Sequence, residues 1–158
     1  MNFLKKLGIS CYINAVAALL ILVSMFLTIA SSMNVGFSID ELGYIIAFSI
    51  IAILAIVGSY FLSLKFGNKL ISYLPLLVAG VLAGLCFIFV LNARTYLIGT
   101  LWVTQLDLSN PYAVAAMNTG APAFIMYCVS MVILAVGSFF NIIPEKLSLI
   151  HISEPTRP

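Results

Sequence analysis

Four long apolar runs alternate with short polar connections along the chain. The runs extend from Ile9 to Ala30, from Gly43 to Leu62, from Leu70 to Leu91 and from Pro122 to Ile142. Each supplies the roughly 20 apolar residues that a helix needs to cross the hydrocarbon core of a bilayer. Because backbone groups in lipid must be hydrogen-bonded internally, each run is predicted to be a transmembrane helix. The pattern therefore predicts an all-α fold over residues 1–146, an integral membrane bundle of four antiparallel transmembrane helices.

The charged residues lie between these runs, and their signs separate the connections into two groups. One group carries Lys5, Lys6, Lys65, Lys69 and Lys146. The other carries Asp40, Glu41 and Asp107 with a single Arg94. The excess of lysine on one side predicts a multi-pass protein of the plasma membrane with both termini in the cytoplasm. We assign no charged residue to the interior of a span, so neither a proton relay nor an intramembrane ion pair is expected.

The composition restricts the class of protein further. Hydrophobic residues make up 63% of the 158 residues and charged residues 8%, with a mean hydropathy of +1.21. A water-soluble domain with a polar surface is excluded by these values. The formal net charge is +2 and the basic residues form no patch, so no nucleic-acid partner is expected.

The last twelve residues are of a different kind from the rest. The stretch from Leu147 to Arg157 resembles the translation of a sequencing adapter, the transposon end used in tagmentation libraries, residue for residue. We therefore treat residues 147–158 as an artefactual tail and exclude them from the fold, as is done for targeting and fusion segments. The true C-terminal sequence is then expected to diverge after Lys146, and His151 is left out of the functional argument.

Local signals predict where two of the helices begin. Ser38 and Glu41 have the spacing of a capping box, in which each side chain bonds the backbone N–H of the other residue. Asn110 and Pro111 are typical of a helix start, with Asn as the cap and Pro in the first position. Such a start predicts an outer extension of the last span, which Gly120 and Pro122 would bend near the membrane surface.

Small residues on span three form the best packing motif. Ala79, Gly80, Ala83 and Gly84 make a strip against which another helix backbone can pack closely. Packing within the bundle and docking of a partner or a second copy both fit this strip. Asn14 is the most polar residue of span one, and its amide fits either a helix contact or a solute-binding cavity. Such a cavity would take further polar groups from Tyr12, Tyr60, Tyr73, Tyr127 and Ser130.

The sequence contains no recognisable catalytic or metal-binding pattern. Cys11, Cys86 and Cys128 lie on three different spans without paired spacing, and we expect them to be buried apolar thiols. Asp40 and Glu41 are adjacent at a predicted helix start, where capping accounts for them. We therefore expect no catalytic residue, no metal and no cofactor, and a protein that is not an enzyme.

The connection between spans three and four has the least regular pattern and contains Trp102, Asp107 and Asn110. Trp102 suits the headgroup layer, and Asp107 and Asn110 suit a turn and a helix cap. From Gly99 to Pro111, followed by a last helix, the chain resembles small four-span membrane proteins of anaerobic Gram-positive bacteria. That resemblance implies a bacterial membrane protein and implies no activity.

Two functions from different classes remain open. The leading hypothesis is an accessory or structural subunit that packs with a partner membrane protein or with itself through small-residue strips. The alternative is a small-solute transporter or channel that acts as an oligomer, because four short helices enclose little space. An enzyme of lipid metabolism is a third possibility, and it would need acidic residues at the interface that the sequence does not supply.

Overall fold

The computed structural model describes residues 8–66, 69–103 and 109–140, and these residues form a bundle of four helices. The helices are α1 (Ile9–Ser32), α2 (Leu42–Phe66), α3 (Lys69–Leu97) and α4 (Pro111–Ser138). A short π-helix, Ile98–Val103, continues α3. Each α-helix contains a segment long and apolar enough to cross a membrane, and the described residues contain no strand. The predicted all-α transmembrane bundle is confirmed.

The helices are arranged in a ring, with each helix packed against the next in the chain and α4 packed against α1. The α1–α4 contact is the most extensive and the α1–α2 contact the least. Ser10 near the start of α1 lies against Gly137 near the end of α4. The first helix therefore begins and the last helix ends at the same face of the bundle, which we call the terminal end. The end with the π-helix is the opposite end.

Small side chains are frequent in the interior of the bundle. Ala17, Ala52, Ala79, Ala83 and Ala123 are fully buried there, together with larger residues such as Ile21, Ile45 and Tyr127. Many large apolar side chains are exposed on the outer surface, including Leu19, Phe26, Leu54, Phe61 and Leu77. Lipid tails are as apolar as leucine, so large side chains lose nothing on that surface, whereas small ones let helix backbones approach. This distribution suits a bundle dissolved in a bilayer.

The helix starts agree with one local prediction and contradict another. Asn110 caps α4 as predicted, and its side chain accepts hydrogen bonds from the backbone of Tyr112 and Ala113. The capping box predicted for span two is not formed, since α2 begins at Leu42 and Ser38 is exposed. The backbone N–H of Ile39 bonds instead to the hydroxyl of Ser32 at 3.0 Å, which ties the α1–α2 connection to the end of α1.

The segment expected to be a loop between spans three and four is largely helical. Helix α3 runs six residues past Leu91 before the π-helix begins, and α4 starts at Pro111, where the outer extension of the last span was predicted, ahead of the apolar run that begins at Pro122. Arg94 therefore lies inside a membrane-spanning segment and is 1% exposed. The apolar helix thus includes one charged residue that the hydropathy pattern placed outside it, because one strongly polar side chain does not end a helix whose remaining residues are apolar.

Candidate functional site

The contact between α1 and α4 is a seam of small residues joined by serine hydroxyls. Ser10 donates to the carbonyl of Gly137 at 2.8 Å, and Ser24 donates to that of Ala123 at 3.0 Å. Ser31 donates to the carbonyl of Ala116 at 2.6 Å. All three hydroxyls are buried. Polar bonds between helices in lipid contribute about 0.6 kcal/mol each on average, so the seam holds the two helices in one register.

The seam follows a spacing of seven residues on both helices. On α1 its positions are Ser10, Ala17, Ser24 and Ser31, and on α4 they are Ala116, Ala123, Ser130 and Gly137. We call these eight residues the serine seam. A seven-residue repeat keeps the same face of each helix toward its partner along the whole contact. In this antiparallel register Ala17 lies opposite Ser130, so the seam has a fourth position without a hydroxyl donor on α1.

Asn14 and Gly137 fix the terminal end of the seam. The Asn14 amide donates to the hydroxyl of Ser10 at 3.1 Å, and its oxygen has no hydrogen-bond partner. A side chain at Gly137 would collide with that Asn14 oxygen and would lie 3.2 Å from Ile13. A larger residue at this position would force the Asn14 side chain to move, because the backbone of α4 rests directly on it.

Arg94 closes the other end of the seam. Its Nε donates to the hydroxyl of Ser31 at 2.9 Å, and Ser31 in turn donates to Ala116 of α4. The guanidinium therefore joins α3 to both seam helices. Its Nη2 atom is buried without a hydrogen-bond partner. A buried unsatisfied donor costs about 1–3 kcal/mol, and more when the group is charged.

Gly120 makes room for this arginine. A Cβ at Gly120 would lie 2.9 Å from the Ser31 hydroxyl and 3.2 Å from Cγ and Nε of Arg94. The arginine side chain thus lies directly on the backbone of α4, which no other residue type at position 120 would permit without a shift. The carboxylates in the described part of the chain, Asp40 and Glu41, are exposed.

A second polar group lies in the middle of the bundle. The hydroxyls of Ser49 and Tyr127 are 2.7 Å apart, and the thiol of Cys86 lies 3.7 Å from Ser49. The same thiol donates weakly to the carbonyl of Ile45 at 3.6 Å. All three side chains are buried and come from α2, α3 and α4. Satisfied networks of this kind specify one packing arrangement, and nothing in this one supplies a general base.

A cavity of about 260 Å³ lies between α1 and α2. Its polar lining comes from Cys11, Asn14, Ser59 and Tyr60, and its apolar lining from Ala15, Ala18, Ile56 and Val57. Of the five residues predicted to join Asn14 around a solute, Tyr60 does so. Tyr12 is exposed, Tyr73 donates to the carbonyl of Phe140 at 3.1 Å, and Tyr127 belongs to the central network.

A larger groove of about 520 Å³ lies between α3 and α4 near the terminal end. It is lined by Tyr73, Leu76, Leu77, Gly80, Val81, Met131, Leu134, Ala135 and Ser138. The predicted small-residue strip is divided between this groove and the core. Ala79 and Ala83 are fully buried, and Gly84 packs against Met131, whose methyl carbon would be 3.1 Å from an added Cβ. Gly80 alone faces open space, with nothing within 4 Å of an added Cβ.

The remaining predicted residues do not form a site. Asn110 is a helix cap, the backbone of Trp102 lies in the π-helix, and the Trp102 side chain, Asp107 and residues 147–158 lie outside the described residues. Cys86 is buried as expected, whereas Cys128 is exposed on the outer surface. Among the described residues, no group of three or more His, Cys, Asp or Glu is placed to hold a metal.

Comparison with known proteins adds no assignment. No protein-family model, curated protein or solved structure matches the chain.

Two features of the site were missed by sequence analysis. The serine seam was present in the sequence as a seven-residue repeat on α1 and another on α4, but only a four-residue spacing, Ser10 with Asn14 and Ala18, was considered on the first span. Arg94 was assigned to a loop because hydropathy falls after Leu91. The fall in hydropathy marks the end of the apolar run but not the end of the helix.

Proposed function

We propose that the chain is a non-enzymatic accessory subunit of a bacterial cytoplasmic membrane, with both termini in the cytoplasm. It packs against a transmembrane helix of a partner membrane protein, and the docking surface is the groove between α3 and α4. One observation carries the proposal: Gly80 lines that groove, and no atom lies within 4 Å of a Cβ added to it.

The other small residues of the strip support this role for Gly80. Ala79, Ala83 and Gly84 are used within the bundle, where they bring helices together. Gly80 has the same small size and no internal contact that requires it. In lipid, a small residue on an outward helix face stabilises a structure by allowing the backbone of another helix to approach closely. A leucine or phenylalanine from a partner helix would fill the space above Gly80 and contact Leu77 and Val81.

Site-specific photocrosslinking in native membranes tests the proposal. A photoreactive side chain at Leu77, which is 69% exposed and lines the groove, should give one product that contains a different polypeptide. The same side chain at Leu54, which is 63% exposed on α2 and outside the groove, should give lipid adducts. The two positions have similar exposure and differ in the surface that they report.

Two glycine variants provide the matched control. Gly80→Leu should reduce the crosslink at Leu77 by more than tenfold, because the new side chain occupies the space for the partner. Gly58→Leu on α2 should leave it unchanged, since Gly58 also has nothing within 4 Å of an added Cβ and does not line the groove. A product of twice the mass of the chain would indicate self-association, and lipid adducts at both positions would refute a protein partner.

A small-solute carrier or channel is the second candidate, and the cavity beside Asn14 favours it. Its polar groups, Asn14, Ser59 and Tyr60, could bind a neutral solute. Solute flux in proteoliposomes that is lost in Asn14→Leu and retained in Ala55→Leu would support this function over the first.

A further inference from the structure

We propose that Arg94 is the anchor of a binding site for a small oxyanion, a carboxylate or phosphate group, inside the bundle. The site lies where α1, α3 and α4 meet, away from the groove used in the proposed function. It consists of the Arg94 guanidinium, the Ser31 hydroxyl that orients it, and the Gly120 backbone on which it rests.

The structure holds the arginine in place by specific contacts. Ser31 accepts from Nε at 2.9 Å and donates its own proton to Ala116 at 2.6 Å. Gly120 leaves the space that the arginine stem occupies. An arginine without a role inside the bundle would extend its guanidinium toward the membrane surface, as long cationic side chains near helix ends do. Arg94 is 1% exposed and turns inward instead.

The unsatisfied atom defines the chemistry of the ligand. In the planar guanidinium, Nε and Nη2 present their protons along the same edge, so an acceptor bonded to Nη2 lies beside the acceptor bonded to Nε. Ser31 occupies the Nε end of that edge, and Nη2 is buried without a partner. Because Nη2 can only donate, a ligand that bonds to it must be an acceptor. A negative charge on that acceptor balances the buried cation.

The site lies near the edge of the membrane. Tyr44, Tyr96 and Tyr112 are exposed at this end of the bundle, and exposed tyrosines are enriched at the headgroup layer. Gly120 lies two helical turns inside Tyr112, a distance of ~12 Å along α4. An anion can therefore come from solution or from an anionic lipid headgroup, and both present the same oxygen chemistry to Arg94.

The π-helix provides the element that can move to admit the ligand. Nη2 is buried, so binding requires a displacement of its surroundings. Ile98–Val103 follows Arg94 by one turn, and Leu101 within it packs with Leu97 and Met117 in a separate apolar cluster at this end. π-helical turns are uncommon, have shifted hydrogen bonds, and concentrate at functional sites.

Arginine side-chain NMR provides the direct test. Arg94 and Arg157 are the only arginines of the chain, and removal of residues 147–158 leaves the Arg94 signal alone. The protein with ¹⁵N-labelled arginine, in uncharged maltoside micelles without lipid, is titrated with sodium phosphate and sodium acetate against sodium chloride at constant ionic strength. A second arm adds phosphatidylglycerol to the micelles. We expect a saturable shift of the Arg94 signal and a rise in the unfolding temperature of about 3 °C.

Variants separate this site from general charge effects. Arg94→Lys, followed by the anion-dependent rise in unfolding temperature, should weaken binding more than tenfold, because an ammonium cannot bond to Ser31 and to the ligand from one rigid plane. Lys65→Gln, which removes an exposed basic residue at the terminal end, should leave binding unchanged. A shift with phosphate or acetate identifies a soluble anion, and a shift only with phosphatidylglycerol identifies a headgroup.

Three results would overturn the proposal. The first is an Arg94 signal that no anion shifts. The second is a loss of binding in Lys65→Gln as large as that in Arg94→Lys. The third is an Arg94 signal that Asp107→Asn shifts without any anion, which would mean that Arg94 has a partner within the protein. The titration needs no partner protein, so its failure leaves the docking groove untouched, and failure of the crosslinking experiment leaves this site untouched.

Discussion

Helix α1 meets its two neighbours in different ways. Against α4 it presents serine and alanine every seven residues, and the two backbones are joined by buried hydroxyls. Against α2 it presents Cys11, Asn14 and Ala18 around a cavity of about 260 Å³. The first contact has no room for an added methyl group at Gly120 or Gly137, whereas the second has room for several.

The difference shows how a bundle in lipid obtains a defined structure without a hydrophobic driving force between its helices. Close approach and interhelical hydrogen bonds stabilise the serine seam, and both depend on small residues in register. The α1–α2 contact lacks that register, so its helices are held by the connection between them and by packing on the rest of the bundle. We expect substitutions to be costly in the seam and tolerated beside the cavity.

The largest difference should come from leucine at two consecutive positions. Ala17→Leu places a large side chain in the seam, where Ala17 is fully buried, and should reduce the free energy of unfolding by about 3 kcal/mol. Ala18→Leu points into the cavity and should be neutral or stabilising. Reversible unfolding in mixed micelles would measure both. Equal losses at the two positions would contradict the distinction between the contacts.

A smaller loss is expected from a single methyl group at Gly120. Gly120→Ala would press on Ser31 and Arg94 and should cost about 1–2 kcal/mol. Gly80→Ala should be neutral or slightly stabilising in the purified protein, because nothing opposes its Cβ and alanine favours helix. Thermal unfolding of the two variants in the same detergent provides the comparison. If Gly80→Ala is the more harmful change, the close contact of Arg94 with α4 is wrong.

Removal of one hydroxyl from the seam should have a modest effect. Ser24→Ala deletes the bond to Ala123 and should cost about 0.6 kcal/mol. Ser138→Ala, which removes an exposed hydroxyl bonded within its own helix, is the control and should change nothing measurable. The pair can be compared by the detergent concentration at the unfolding midpoint. An unchanged midpoint in Ser24→Ala would mean that close packing alone holds the seam.

The smallest effect, of opposite sign, is expected from completing the seam. Ala17→Ser introduces a hydroxyl opposite the Ser130 carbonyl, in the register of the three existing bonds, and should stabilise the protein by about 0.5 kcal/mol. Ala30→Ser, which lies on the exposed face of α1, should not stabilise the protein. A loss of stability in Ala17→Ser would show that the register is not continuous between Ser10 and Ser24.

Hydropathy and local signals predicted much of the fold. The apolar runs predicted four helices because the length required by a bilayer is a strong constraint, and Asn110 with Pro111 correctly marked the start of α4. The capping box at Ser38 was wrong, because α2 begins at Leu42 and Ser38 therefore lies several residues before the helix. A capping pattern in the sequence does not fix the residue at which the helix begins.

The candidate sites were less predictable because they depend on contacts between distant segments. The arginine site takes one residue from each of three helices, Ser31, Arg94 and Gly120. No spacing in the sequence predicts that these residues are in contact. The small-residue strip was predicted as a unit, yet Ala79 and Gly80 lie on different faces of α3 with different neighbours. Which member faces the core is decided by helix rotation, which local sequence leaves undetermined.

The serine seam also bears on the order of events during synthesis. It joins the first helix to the last, so the hydroxyls of Ser10, Ser24 and Ser31 reach the membrane before their acceptors on α4 have been translated. At about 5–20 residues per second, the delay between the end of α1 and the end of α4 is roughly 5–20 s. During that interval the serines can bond to carbonyls one turn back in their own helix, as Thr28 does in the finished protein at 2.8 Å. A ribosome that stalled before α4 would leave α1 with its polar stripe uncovered, a state that membrane quality control could recognise.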